Sequence, residues 1–507
     1  MGSYNTHVGK GALAGSGGVF AGAAASGPGI RLLKMLGVPA IALADAGAIC
    51  LSMAAAYFAA ANIVPAFNLG IGPVRPDQVY ALWWFPLLCV LVMAYEGSYR
   101  NRLPFWQGLK YIIKDITVAV VLSVLYVFFS KSYDVASRSL FILTYIMSIL
   151  LVPLARYGVQ RQLFRKGIWQ RPVLILGAGK TAELLIRGFR RESFMGYRPV
   201  GLLEDDPGKL RGIIAGTRRV PVLGGFDDVE AVMKETGVRD VIIAAPGMEN
   251  RHLVKLTNRL QQISANVMLV PDLFGIPLTG IRVDHLFDEK AVILSMQNNL
   301  ASPGNRILKR CFDIVVGTLI LIPLIPILLL IAAAIRLDSP GGAIFSGKRI
   351  GRDGKEFPCY KFRTMHLNND KILKEYLQNN PEAREEWERF NKLRGHDPRV
   401  TRVGRFLRKF SLDELPQIIN VINGEMSLVG PRPYLPRERK DMEAYADIIL
   451  KTPPGITGLW QVSGRSEIDF NGRLHMESWY VRNWSLWQDI TLLIRTIGVV
   501  VRSEGAY

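Results

Sequence analysis

Five apolar runs constrain this chain more than any other feature of its sequence. Four lie close together, near 40–64, 79–95, 112–130 and 139–155, each 17 to 25 residues long. A helix needs about 20 apolar residues to cross the hydrocarbon of a bilayer. Four such runs with short polar gaps are hard to bury in a soluble core. They predict four transmembrane helices across 39–160, although Asp45 interrupts the first and Lys114 and Asp115 sit near the start of the third. The fifth run, Ile314–Ile335, has 22 residues, no charge, and two prolines, Pro323 and Pro326. Proline removes a backbone donor and kinks a helix. On length alone a kinked spanning helix and a re-entrant hairpin, which enters and leaves on one side, fit equally well.

The loops decide orientation. Arg100, Arg102 and Lys110 follow the second run, and Arg161, Arg165, Lys166 and Arg171 follow the fourth. The first gap carries only Arg75 and Asp77, while Lys131 and Arg138 in the third run against the trend. The positive-inside rule puts both chain ends in the cytoplasm. A spanning fifth helix would send a strongly basic remainder outside, so a re-entrant membrane helix over 305–338 is the expectation. The net charge of +19 then suits anionic lipid or a phosphorylated substrate. Nucleic acid fits the charge but not its attachment to membrane segments. A hydrophobic share of 49% excludes a disordered chain. Residues 1–38 begin with a Gly- and Ala-rich stretch whose charge is Lys10 alone, and predict a flexible tail with no cleaved signal. The four cysteines form no C-x-x-C pair, which argues against a disulfide framework or zinc site and for a reducing cytoplasm.

Residues 170–300 alternate strand and helix signals. Val173–Leu176, Val200–Leu203, Val241–Ala245 and Val267–Val270 read as buried strands of a doubly wound, Rossmann-like α/β domain. Gly177-x-Gly179-x-x-Ala182 joins the first strand to a helix, as a dinucleotide fingerprint should, and Glu204 to Asp206 follow at a spacing that suits a ribose contact. No Tyr-x-x-x-Lys occurs among the 17 tyrosines. A vestigial or regulatory nucleotide fold is therefore preferred to a working NAD site.

Residues 339–507 carry the densest chemistry, in an α+β domain. Arg399, Arg402, Arg405 and Arg408 recur every third residue and run up to Ser411-Leu412-Asp413-Glu414-Leu415-Pro416-Gln417. Arginine binds phosphate bidentately, so such a stripe suits a diphosphate or lipid headgroups. A carboxylate can attack phosphorus, and a carboxylate pair can hold Mg²⁺. Nearby arginines would keep both acids ionised. Ser-x-x-Glu is equally the pattern of a helix capping box, though Pro416 fits that poorly. Pro431-Arg432-Pro433 presents an arginine with little freedom to lose on binding phosphate. Lys361-Phe362-Arg363 and the Gly-punctuated loop Pro453 to Arg465 add further cations.

Lys309 to Ile314, Lys361-Phe362-Arg363, Ser411 to Gln417, Met426 to Pro433 and Gly458 to Arg465 together resemble the bacterial polyprenyl-phosphate sugar-1-phosphate transferases, the monotopic phosphoglycosyl transferases. The likeness spans 305–507. The four spans and α/β domain match the long form of that family, including its galactose phosphotransferases, down to the terminal Gly-Ala-Tyr. The resemblance implies transfer of a hexose-1-phosphate, galactose before glucose, from a UDP-sugar to undecaprenyl phosphate with release of UMP. Asp413 would be the nucleophile, Glu414 its partner in the dyad for Mg²⁺ or substrate positioning, and Asp413 and Glu414 the Mg²⁺ pair. Arg408, Lys361, Arg363, Arg465 and Pro431-Arg432-Pro433 would hold substrate, and Pro323 matches the helix break, with Pro326 additional. It also implies the first membrane step of exopolysaccharide or O-antigen synthesis, a multi-pass protein of the bacterial inner membrane with its catalytic domain in the cytoplasm, and a homodimer. Two rival readings are a membrane-bound NAD-dependent nucleotide-sugar oxidoreductase or epimerase, and a non-catalytic lipid-binding scaffold. No Asp-x-Asp occurs, which disfavours an ordinary metal-dependent glycosyl transferase.

Overall fold

A computed structural model describes residues 36–63, 75–130, 137–209, 212–215, 218–271, 282–286, 291–295, 299–390, 393, 397–464 and 468–502. The expected N-terminal tail, apart from its last few residues, lies outside that range, as do Arg465 and the terminal Gly-Ala-Tyr. The chain divides into two compact units, one up to Asp272 and one from Leu273.

In the first unit the apolar runs form α1 (Gly37–Asn62), α2 (Phe85–Tyr95, preceded by a short helix Pro76–Tyr80), α3 (Phe105–Phe129) and α4 (Arg138–Arg165). All four are long and apolar enough to cross a membrane, counting the short helix with α2. α1 buries Ile41, Asp45, Ala48, Ile49, Ser52, Met53 and Ala56, the i, i+4, i+7 stripe of one helix face. It packs on α4, which buries Thr144, Ser148, Val152 and Arg156. Small side chains let the two backbones approach without a hydrophobic drive. Asp45 is tolerated because Arg156 reaches it from α4, Nη2 to Oδ2 at 2.5 Å and Nε to both oxygens at 3.1 Å. The outward face of α1 carries Leu43, Leu51 and Phe58, exposed apolar groups that suit lipid.

The α/β domain follows: β1 (Arg171–Leu176), α5 (Lys180–Arg191), β2 (Tyr197–Leu203), a hairpin of β3 (Ile213–Ala215) and β4 (Arg218–Val220), β5 (Val222–Gly224), α6 (Val229–Thr236), β6 (Asp240–Ile243), α7 (Asn250–Ile263) and β7 (Asn266–Leu269). The sheet is parallel with order β5-β2-β1-β6-β7. All four expected strands are present. The sheet is fastened to the loop between α2 and α3: Arg102 Nη1 donates to the carbonyls of Trp169 and Met195, and Phe105 N–H to Glu192.

The second unit opens with an antiparallel hairpin, β8 (Arg282–Leu286) and β9 (Ala291–Ser295), and then α8 (Pro303–Asp338). α8 has a mean hydropathy of 3.0, the highest of the five spans, with 6% of that window buried. The turn expected near Pro323 and Pro326 is absent: α8 stays helical through both prolines. Each proline lacks the N–H that would reach the carbonyl four residues back, so Leu319 and Ile322 lose ladder partners while neighbouring bonds persist.

Both ends of α8 are bonded to the polar domain that follows it. At the N-terminal end, Lys309 Nζ donates to Asp489 at 2.7 Å and to the Val429 carbonyl. Arg310 caps the carbonyls of Val421 and Ile422, and Asp313 accepts from Leu428 N–H and Ser427. At the C-terminal end, Ile335 packs on Leu407 and Phe362, and Asp338 accepts from Val403 N–H at 3.0 Å. Between them Leu319, Ile322, Leu329 and Leu330 stand uncovered. The polar domain comprises β10 (Ile344–Ile350), β11 (Glu356–Phe362), α9 (Asn369–Asn379), α10 (Pro381–Phe390), α11 (Arg402–Lys409), α12 (Gln417–Asn423), β12 (Ser427–Val429), β13 (Gly455–Thr457), α13 (Phe470–Arg482) and α14 (Leu486–Arg502).

Candidate active site

Three short segments bring the charged groups together. The antiparallel hairpin β10–β11 delivers Lys361 at the end of its second strand. α11 delivers Arg408, and its start is fixed by Thr401, whose hydroxyl accepts from Gly404 N–H. Gly404 lies against β11's exit so closely that a Cβ there would stand 2.2 Å from the Thr364 carbonyl oxygen. The chain then reverses at Ser411, which adopts φ 55° and ψ 25°, a left-handed conformation that non-glycine residues rarely take. That turn starts a single 3-10 turn, Leu412–Glu414.

The capping-box alternative fails here. Ser411 makes no side-chain cap bond, and Glu414 turns instead to Lys361, Oε1 to Nζ at 2.6 Å. Pro416 becomes the residue before α12, where a missing N–H costs nothing.

Asp413 and Glu414 line a cavity of about 970 Å³ together with Lys361, Arg408, Arg432 and Pro433. Arg408 is steadied by a bond from Nε to Thr364 Oγ1 at 3.0 Å. Burial pushes the Asp413 carboxyl above its ordinary range, and the Glu414 charge adds to that. Lys361 and Arg408 pull the other way without offsetting it. The expectation that cations would dominate both acids is therefore reversed for Asp413.

Other expected residues have different placements. Arg363 touches the cavity, but its guanidinium donates to Ser339 and Pro340 at the end of α8. Of the arginine stripe, Arg408 reaches the cavity, Arg399 is paired with Asp397 and stacked on Trp387, and Arg402 and Arg405 face outward. Pro431 is buried behind the wall, where its carbonyl accepts from Gly455 N–H. Arg432 is held by its backbone N–H, which donates to Glu477 at 2.9 Å. Glu477 also accepts from Tyr434 Oη, and burial raises its carboxyl to about 7.

Sequence reasoning missed Arg349, Arg473 and Glu477. Arg349 sits in a basic stretch, Lys348 to Lys355, that sequence reasoning passed over, and Arg473 is one arginine in a helix with no run or motif around it. In the α/β domain, Glu204 does not stand free for a ribose: it accepts from Ala178 N–H, in the Gly-rich turn itself, at 2.8 Å, and from Asp206 N–H. Among the described residues no group of three His, Cys, Asp or Glu side chains is placed to hold a metal.

Residues 304–503 match the family model described as bacterial sugar transferase, and 83–271 match one described as CoA-binding domain. An uncharacterized sugar transferase of Haemophilus influenzae is 41% identical over 81% of this chain and 85% of its own length. The undecaprenyl-phosphate galactose phosphotransferase of Salmonella typhimurium is 39% identical over 81% and 84%. This chain belongs to the polyprenyl-phosphate sugar-1-phosphate transferases. Within that transferase family, the UDP-glucose:undecaprenyl-phosphate glucose-1-phosphate transferase of Escherichia coli is 31% identical over 83% of this chain and 89% of its own length. The transferase motifs divide by role: Lys309, Arg310 and Asp313 bolt the membrane helix to the domain, while Lys361, Asp413 and Glu414 face the cavity.

Proposed function

We propose that this transferase moves a hexose-1-phosphate, galactose before glucose, from a UDP-sugar to undecaprenyl phosphate in the first membrane step of exopolysaccharide or O-antigen synthesis. The observation that carries the reading is Asp413, beside Glu414, in a cavity walled by Lys361, Arg408 and Arg432. An Asp413 oxygen bonds to the β-phosphorus, the bond from that phosphorus to the bridging oxygen breaks, and UMP leaves with the electron pair. An oxygen of the lipid phosphate then bonds to the same phosphorus, and the Asp413 carboxylate is regenerated. Galactose is favoured because the galactose-named relative is 39% identical and the glucose-named one 31%.

Mg²⁺ suits the donor set, since it is commonly held by one or two carboxylates plus substrate phosphates. Asp413 and Glu414 would hold it, with Glu414 released from Lys361 as the diphosphate arrives. When bound, the ion supplies charge neutralisation on the diphosphate and the departing UMP. The function is tested by offering purified protein a set of UDP-sugars with undecaprenyl phosphate and Mg²⁺. UMP release is expected with UDP-galactose above UDP-glucose, and the absence of release from every donor contradicts the assignment.

A pH effect follows from the raised carboxyl. Asp413 attacks only when ionised, so the rate falls as pH drops through its folded-state pKa, which lies above that of an exposed aspartate. Lys361→Met removes a cation that favours the ionised form and frees the Glu414 charge beside it. The acid limb of the UMP-release profile is expected to move to higher pH; a limb that stays or moves down contradicts this.

The membrane reading includes a re-entrant α8 and a cytoplasmic catalytic domain at the inner membrane. Its support is that Lys309 and Asp338, at opposite ends of the apolar stretch, are bonded to one polar domain. A helix that crossed the bilayer would drag part of that domain through hydrocarbon. Single cysteines placed at the exposed Ser302 and Gly342 in an otherwise cysteine-free protein are expected to react with an impermeant reagent from the cytoplasmic side alone. Labelling from opposite sides contradicts re-entry.

A further inference from the structure

One wall of the active-site cavity holds cationic groups that are not satisfied. Arg349 from β10, Arg432 from the Pro-Arg-Pro loop and Arg473 from α13 all line it, with Trp460 from the Gly-punctuated loop. Arg349 Nη1, Arg473 Nε and Trp460 Nε1 are buried without a hydrogen-bond partner among the described residues. Buried donors are nearly always paired, and leaving one unpaired is costly. Arg473 lies over the Trp460 ring, Cζ 4.5 Å from its centroid, so its guanidinium is held against that face. Burial lowers the pKa of Arg349 and Arg473, and the Arg432 charge lowers both further. Both oxygens of Glu477, the buried acid that acts on Arg473, are already taken by Arg432 N–H and Tyr434 Oη. A wall of this kind calls for an anion with several oxygens. Lys361 and Arg408, by contrast, already have partners in Glu414 and Thr364.

The reaction geometry says which anion. Phosphoryl transfer runs roughly in line, with entering and leaving oxygens on opposite sides of phosphorus. Asp413 enters opposite UMP in the first half-reaction. In the second, Asp413 is the leaving group, so the lipid phosphate must enter from the position UMP vacated. The phosphate carrying that oxygen therefore takes the place of the nucleotide's α-phosphate. We propose that Arg349, Arg432, Arg473 and Trp460 form one phosphate seat used twice, by the α-phosphate of the nucleotide and then by the phosphate of the polyprenyl acceptor. This rests on the two-step transfer proposed above. It explains how one cavity admits a water-soluble nucleotide and a lipid without two separate phosphate sites.

The test uses the full-length enzyme in lipid nanodiscs, with UMP as inhibitor and undecaprenyl phosphate as the varied substrate. UMP is expected to compete with undecaprenyl phosphate. Arg349→Gln is expected to raise the inhibition constant of UMP and the KM of undecaprenyl phosphate by the same factor, roughly tenfold for a lost bond to a charged group. Trp460→Phe keeps an aromatic face beneath Arg473 but loses the N–H and part of the indole area; it should move both constants together by a smaller factor, with kcat changed less than KM. Either variant moving one constant without the other overturns the shared seat, as does UMP that fails to compete with the lipid. Those outcomes require turnover and leave the transfer reaction standing. Absence of UMP release by the unmodified protein with every donor instead removes the transfer reading itself.

Discussion

Asp413→Asn is expected to abolish UMP release, by at least about 10³-fold, while the protein still inserts and folds. The amide keeps the shape of the carboxyl and can still accept a hydrogen bond, but it cannot form the acyl phosphate. The structure also gives the sign of the effect on stability. The Asp413 carboxyl is pushed up by burial and by Glu414, so its negative charge is disfavoured in the fold. Asparagine removes that charge, and thermal stability should hold or rise. A protein that loses activity and stability together would mean that Asp413 serves the fold. Activity that survives would remove it from the reaction. Glu414 is paired with Lys361 at 2.6 Å, so substitution there disturbs two groups and reads less cleanly.

The largest expected effect on stability belongs to Asp489→Asn. Asp489 is fully buried and accepts from Lys309 Nζ at 2.7 Å, Tyr480 Oη at 2.7 Å and Trp484 Nε1 at 3.0 Å. Removing its charge takes from the buried Lys309 ammonium the carboxylate bonded to it, leaving Asp313 one turn along α8 as a nearby acid, so the cost falls at the lower end of the about 3–5 kcal/mol typical of a broken buried pair. A domain of this size loses about 2–4 °C of Tm per kcal/mol, so a fall of roughly 10 °C is expected in detergent. The double variant with Lys309→Met removes both charges and should recover part of the loss. Equal destabilisation by the single and double variants would show that the pair does not act as a pair. The pair joins the root of the membrane helix to α14, so its loss should also loosen the seat of the domain on that helix.

The sequence carried the layout of this chain wherever the physics is local. Hydrocarbon thickness makes a span visible as a run of about 20 apolar residues, and all five runs became helices. Four parallel strands were visible as Val/Ile/Leu runs, although β7, read as buried, is a part-exposed edge strand, and β5 and the β3–β4 hairpin, three residues each, were too short to stand out. The Asp413-Glu414 pair was legible because two acids beside a run of arginines are conspicuous. Its competing capping-box reading could be dismissed only by seeing the left-handed turn at Ser411 and the Lys361 contact. Contacts between distant positions left no trace. Lys309 and Asp489 are 180 residues apart, and Asp45 and Arg156 are 111 apart. Arg363 shows the reverse error: a cation in a motif near the site whose guanidinium is spent on the carbonyls of Ser339 and Pro340. Two prolines in a helix looked like a turn, yet the surrounding ladder kept the helix intact.

In the proposed mechanism Asp413 carries the phosphosugar between donor and acceptor. That role is tested most directly by mixing the protein with UDP-galactose and Mg²⁺ in the absence of undecaprenyl phosphate, then measuring UMP and the mass of the peptide that contains Asp413. A burst of UMP equal to the amount of active enzyme is expected, with a hexose-phosphate adduct on Asp413 that disappears when undecaprenyl phosphate is added. UMP that appears only once the lipid is present, with Asp413 unmodified throughout, would contradict it.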